Sequence, residues 1–166
     1  MTTVRWAGVE DAPAIATIHV QSWQVAYRGL VDQEYLDGLE PADRLPRWRQ
    51  GLAEYVWPDR GTLVAEQDGA VVGFAHLSTG DEAELHAIYV RPDAWGTGAG
   101  RALMAAAETR LAEAGCHDVV LWVLATNERA RRFYAKAGWH ADGGEAPHDV
   151  GGVAHTVVRY RRSLSR

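Results

Sequence analysis

The chain has 166 residues, 47% of them apolar and 23% charged, the make-up of one globular domain expected to span residues 1–166. Its net charge of −5 disfavours a nucleic-acid partner, and its single cysteine, Cys116, excludes an internal disulfide or a cysteine-rich metal site. No apolar run approaches the ~18 residues of a membrane span, and the amino terminus, MTTVRWAGVEDAP, lacks a secretory apolar segment, so a cytoplasmic protein is expected. One lysine, Lys136, against 16 arginines is the bias of a GC-rich, bacterial genome.

Residues 3–9 alternate weakly and read as a first strand. Asp11 is placed to cap a following helix, with Pro13 in its first turn and Ile15, Ile18, Ser22 and Ala26 at helical spacing. Residues 29–39 read as a loop with short helical turns. Residues 41–55 read as a second helix, interrupted by Pro46. Residues 62–66 and 70–77 read as strands joined by the hairpin turn Asp68-Gly69, and AELHAIYV (83–90) as a third strand that Pro92 ends. Residues 98–114 form an amphipathic helix stopped by Gly115. DVVLWVL (118–124) is a buried strand, and residues 128–137 a short helix closed by Gly138. Residues 139–141 and 153–161 close the chain as strands around a glycine-rich loop, 142–152. The order β-α-α-β-β-β-α-β-α-β-β defines an α+β domain with a mixed sheet.

The stretch LHAIYVRPDAWGTGAGRALM carries the first chemical signal. A strand ends, and Gly96, Thr97, Gly98, Ala99, Gly100 and Arg101 lead into a helix. Glycines admit a ligand close to the backbone, and the free N–H groups of a helix start favour an anion such as a diphosphate. Arg101 follows Gly100 where a P-loop needs Lys, and stands where a dinucleotide fingerprint needs its last glycine, so both of those patterns fail. A coenzyme A site and a turn with no ligand remain.

The next strand and helix, LWVLATNERARRFYAKAGW, decide between them. The region 83–139 resembles the GNAT superfamily of acyl-CoA-dependent N-acyltransferases. Its [Gln/Arg]-x-x-Gly-x-[Gly/Ala] turn falls at Trp95–Gly100, its Asn at Asn127, the only asparagine, and its Tyr seven residues later at Tyr134 in FYAKAGW. Trp95 departs from the pattern by removing a guanidinium from the turn, which leaves backbone N–H groups, Arg101 and Arg91 for the anion.

The resemblance implies a mostly antiparallel sheet whose two central strands splay. It implies acetyl-CoA as acyl donor, with no metal, and an amine acceptor, without nucleic acid or membrane; a homodimer is compatible with it. Pantetheine would lie in the wedge beside the backbone of Ile88, Tyr89 and Val90, hydrogen-bonded by Asn127, which can equally cap the following helix. Tyr134 matches the family's acid for the coenzyme thiolate; its apolar neighbours also suit a core aromatic. Many relatives carry a Glu five residues before the Asn; here that residue is Trp122. The base role then moves to Glu84 and His86, which share strand parity if no bulge intervenes, with Asp81, Glu82 and His148 behind them. The acceptor pocket would draw on Trp23, Tyr27, Arg28, Trp48 and Trp57. The resulting expectation is an N-acetyltransferase for a small-molecule primary amine working by direct transfer. The alternatives are a protein or peptide acetyltransferase and a non-catalytic acyl-CoA sensor.

Overall fold

The structure, a computed structural model, describes residues 1–164. Seven strands form one sheet in the order β1-β2-β3-β4-β5-β7-β6. They are β1 (Thr2–Trp6), β2 (Arg60–Gln67), β3 (Ala70–Ser78), β4 (Glu84–Val90), β5 (Asp118–Leu124), β6 (His140–Val150) and β7 (Val153–Ser163). Every neighbouring pair is antiparallel except β4 and β5. The helices are α1 (Ala12–Ala26), α2 (Gln33–Asp37), α3 (Pro41–Glu54), α4 (Ala99–Glu113) and α5 (Glu128–Lys136). This is the expected α+β class.

The β2–β3 turn forms because both of its central residues, Asp68 (φ 52°) and Gly69 (φ 79°), take left-handed conformations that match the twist of a hairpin. Helix α3 runs through Pro46 without ending, because its Trp48 and Leu52 are held against the sheet. Helices α4 and α5 cover one face of the sheet, with Leu103 and Leu111 buried against Leu85, Val119 and Leu121. On the other face, α1 packs Ile15 and Ile18 on Val64 and Phe74, with Trp48 of α3 beside them.

Two expectations need correction. Residues 142–152 are not a loop. β6 continues to Val150, its register against β7 shifts between Ala141 and Glu145, and only Gly151-Gly152 turns the chain. The irregular step at Asp142-Gly143-Gly144 is a bulge. Asp11 does not cap α1 with its side chain. Its carboxylate accepts two hydrogen bonds from the Arg5 guanidinium, at 2.8 and 2.9 Å, and one from the Gly8 N–H at 2.8 Å.

What positions the site is the break between β4 and β5. The two strands pair at Glu84–Val120, where the Val120 N–H donates to Ala83 O, and then diverge. β4 remains bound to β3 on one edge, and β5 to β7 on the other. A wedge therefore opens through the middle of the sheet, its β4 edge carrying peptide groups with no strand opposite.

Candidate active site

The wedge is the centre of a cleft of about 1060 Å³ that runs from the Gly96–Gly100 turn, between β4 and α5, to the face of the sheet beside α1. Glu84, His86, Ile88, Tyr89, Val90, Gly96, Thr97, Gly98, Gly100, Arg101, Asn127 and Tyr134 all line it, and Ala99 does not. Ala99 is in the core, 1% exposed, so only its peptide belongs to the turn.

The turn is held from outside. Thr97 Oγ1 donates to Ala94 O at 2.6 Å and accepts from Gln67 Nε2 of β2 at 2.8 Å. Gly96 (φ 79°) and Gly98 (φ 92°) both lie in the left-handed region, which aims the following N–H groups of the first turn of α4 along one side of the cleft. Gly98 lines the cleft, and no atom lies within 4 Å of where its side chain would begin, so its left-handed φ is what opposes a substitution there.

Along β4 the peptides alternate. The Arg91 N–H donates to Val72 O of β3, which puts the peptide groups of Tyr89 toward β3 and those of Ile88 and Val90 toward the wedge. Tyr89 therefore cannot pair with pantetheine through its backbone. Its ring lies on the α1 side, where its hydroxyl accepts from Trp23 Nε1 at 3.0 Å and shares a hydrogen bond with the Tyr27 hydroxyl at 3.3 Å. The Val90 carbonyl is also taken, by Trp95 Nε1 at 2.8 Å and Ser22 Oγ at 3.3 Å. What remains for a ligand on this edge is the Val90 N–H and the peptide groups of Ile88.

Tyr134 reaches the wedge from α5, its ring among Phe133, Trp139 and Tyr160. Its hydroxyl hydrogen-bonds to none of the described residues, and the residue is partly exposed to the cleft. Burial first, and Tyr89 second, push its phenol well above the usual value, so it stays protonated. Asn127 Oδ1 accepts from the Ala130 N–H at 3.2 Å, which makes it the cap of α5, while its side chain also faces the cleft.

The β3–β4 register shifts at His76/Leu77, making His86 the extra residue of a bulge on β4. The shift puts Leu85 and Ile88 on the α4 face, and Ala87 and Tyr89 on the α1 face. Glu84 and His86 stay side by side nonetheless. Glu84 Oε2 lies 3.1 Å from His86 Nδ1, and His86 Nε2 lies 2.7 Å from Ser78 Oγ. The hydrogen bond from His86 is the main reason that the Glu84 carboxyl is held below the usual range. The neighbouring His76 is buried next to Arg60, which lowers its pKa to about 3 and keeps it neutral. Trp122, 36% exposed, faces the α1 side under the Arg159 guanidinium.

Of the aromatic candidates for the acceptor end, Trp23 and Tyr27 line the cleft. Trp48 instead packs on Phe74 and His76, Trp57 on Trp6, and Arg28 stays outside. Arg91 is paired with Asp93 and does not face the cleft, and Glu82 is paired with Arg161. His148 does face it, from β6. The cations that the sequence reading missed are Arg129, Arg132 and Lys136, which line the cleft with Arg101. Their spacing of three and four residues puts them on one face of α5, a signal present in NERARRFYAK.

A sheet split at its centre, with a glycine turn at a helix start on one wall and a free phenol on the other, defines the class of acyl-CoA N-acyltransferase folds. The comparisons agree. The family model for the acetyltransferase (GNAT) family matches residues 21–139. An uncharacterized N-acetyltransferase of Mycobacterium bovis is 37% identical over 136 residues, covering 80% of this chain and 85% of that protein. A GCN5-related N-acetyltransferase structure from Rhodopseudomonas palustris superposes with a TM-score of 0.80 at 25% identity, over 98% of this chain and 96% of that one. The PaiA N-acetyltransferase of Thermoplasma acidophilum, solved in complex with coenzyme A, superposes with a TM-score of 0.72 at 21% identity, over 98% and 99%. The chain belongs to the GNAT acetyltransferase family, and is an acetyl-CoA-dependent acyltransferase.

Proposed function

We propose that residues 1–166 act as one cytoplasmic domain that moves an acetyl group from acetyl-CoA to a primary amine of a small molecule, by direct transfer in a ternary complex. The observation that carries this reading is the wedge beyond Glu84–Val120, with a free proton donor, Tyr134, on one wall and the Glu84–His86 pair at the end where the strands meet. The residues present fit coenzyme A. The start of α4, Arg101 and the basic face of α5 suit its phosphates, and the open peptide groups of Ile88 with the Val90 N–H suit the pantetheine arm and the thioester.

Each step then falls to a residue. The Val90 N–H stabilises the thioester oxygen as negative charge develops. Glu84, ionised and oriented by His86, draws the cationic amine and takes its proton directly or through water, so that the neutral amine attacks. His86 is the orienting partner, since both of its ring nitrogens are engaged. Tyr134 protonates the departing thiolate. The acceptor end has one carboxylate and the walls Trp23, Tyr27 and Val150, which suits a cation on an apolar or aromatic body.

The test is thiol release from acetyl-CoA with a panel of small primary amines and, in parallel, peptides with free amino termini or lysines. The reading requires stoichiometric N-acetyl product, identified by mass spectrometry, from small amines. Faster turnover of peptides would transfer the proposal to a protein substrate, and binding of acetyl-CoA without turnover of either panel would make the protein a sensor.

A further inference from the structure

Trp95 occupies the turn position that would otherwise bring a side-chain cation to the diphosphate. Its indole N–H is fixed to Val90 O at 2.8 Å, which anchors the ring across the end of β4. Over that ring lies Arg129, the second residue of α5, with its guanidinium carbon 3.5 Å from the ring centroid. The pair joins the two walls of the cleft at the level of the glycine turn, and both side chains line it.

Arg129 differs from its neighbours. Arg91 is paired with Asp93, Arg132 lies 3.8 Å from Glu128, and Arg131 donates to the Tyr160 hydroxyl and to Ala125 O. Among the described residues, Arg129 has neither a carboxylate partner nor a hydrogen bond. Its plane is covered by the indole, while its N–H donors lie around the edge, free for a planar fork of two bonds to a phosphate. Burial without a nearby anion lowers its pKa, the mark of a cation partly stripped of water and not yet compensated.

We infer that Arg129, stacked on Trp95, supplies the guanidinium that holds the coenzyme diphosphate against the Gly96–Gly100 turn, with Trp95 as its positioning residue. The inference rests on the coenzyme reading given above and deepens it. The cation comes from α5 instead of from the turn, so the bound diphosphate ties the start of α4 to the start of α5. Fixing Arg129 on a flat support beforehand also reduces the side-chain entropy lost on binding.

The same chemistry could serve the 3′-phosphate, so the experiment separates the two. Coenzyme A, 3′-dephospho-coenzyme A and pantetheine are titrated into the wild type, Arg129→Gln, Trp95→Phe, Trp95→Leu and the double variant Trp95→Leu/Arg129→Gln. Calorimetry serves for the tight ligands and NMR for pantetheine, and melting curves confirm folding. Arg129→Gln is expected to weaken coenzyme A and its dephospho form alike, by about 10- to 100-fold, with pantetheine unchanged. Trp95→Phe keeps an aromatic support and most of the affinity. Trp95→Leu loses much of it, and the double variant is no weaker than Arg129→Gln alone. Loss confined to coenzyme A would assign Arg129 to the 3′-phosphate and overturn the inference, as would an equal loss for pantetheine or no loss at all. A wild type that binds none of the three ligands would remove the coenzyme reading itself, a result distinct from any of these.

Discussion

Tyr134→Phe removes one hydroxyl and little else. That hydroxyl hydrogen-bonds to none of the described residues, and the ring contacts with Phe133 (5.6 Å between centroids), Tyr160 (6.2 Å) and Trp139 (6.3 Å) do not depend on it. Folding stability should therefore stay within about 0.5 kcal/mol of the wild type. Chemistry should suffer much more. A coenzyme thiolate is a fair leaving group even without a proton, so kcat should fall by about 10- to 1,000-fold, or roughly 1.4–4 kcal/mol of barrier. Because burial raises the phenol pKa, the wild type should keep its acid through mildly alkaline pH, with no loss of kcat from Tyr134 ionisation there. The assay is single-turnover acetyl transfer, which isolates chemistry from product release, paired with thermal melts of both proteins. A variant within twofold of the wild type, with chemistry rate-limiting, would leave Tyr134 as packing and refute the reasoning.

Glu84→Gln should lower kcat/KM for cationic amines by about 10- to 100-fold, measured across the panel at several pH values. His86→Gln removes the hydrogen bond that chiefly holds the Glu84 carboxyl down, so the acid limb of the pH–rate profile should move to higher pH; an unmoved limb would separate the two residues. Gly98→Val should sharply weaken coenzyme A binding, because a β-branched residue strains the φ of 92° on which the proposed diphosphate turn depends; unchanged affinity in a folded protein would refute that. Asp11→Asn should cost about 1–3 kcal/mol in a denaturant titration at neutral pH, discounted for the exposure of Arg5. The Asp11 pKa is lowered in the folded state, chiefly by the hydrogen bonds from Arg5. Its contribution is therefore present above the unfolded carboxylate value and is lost as pH falls through the folded one, and the variant should flatten that part of the stability–pH curve.

The elements with strong local signals were legible in the sequence. DVVLWVL reads as a buried strand, Asp68-Gly69 as a strong hairpin turn, and the glycine turn together with the Asn127–Tyr134 spacing carried the family resemblance. β6 was not, because HADGGEAPHDV lies at the sheet edge, alternates poorly in hydrophobicity and spends its glycines on a bulge. Asp11 reads as a cap in sequence, yet an arginine six residues earlier competes for its carboxylate across the β1–α1 corner. The pairing of Glu84 with His86 rested on parity, and a bulge that the sequence does not announce changes the faces of the residues after it. The stack of Arg129 on Trp95 joins residues on different elements, so no local pattern reveals it, although the basic face of α5 could have been counted.

The most direct test of the central claim is a crystal structure of the protein with coenzyme A bound. The account predicts the pantetheine arm between β4 and β5, hydrogen-bonded to Ile88, with the diphosphate on the Gly96–Gly100 turn and the sulfur within about 3–4 Å of the Tyr134 hydroxyl. A coenzyme that lies outside the wedge, or a thiol directed away from both Tyr134 and Glu84, would contradict it.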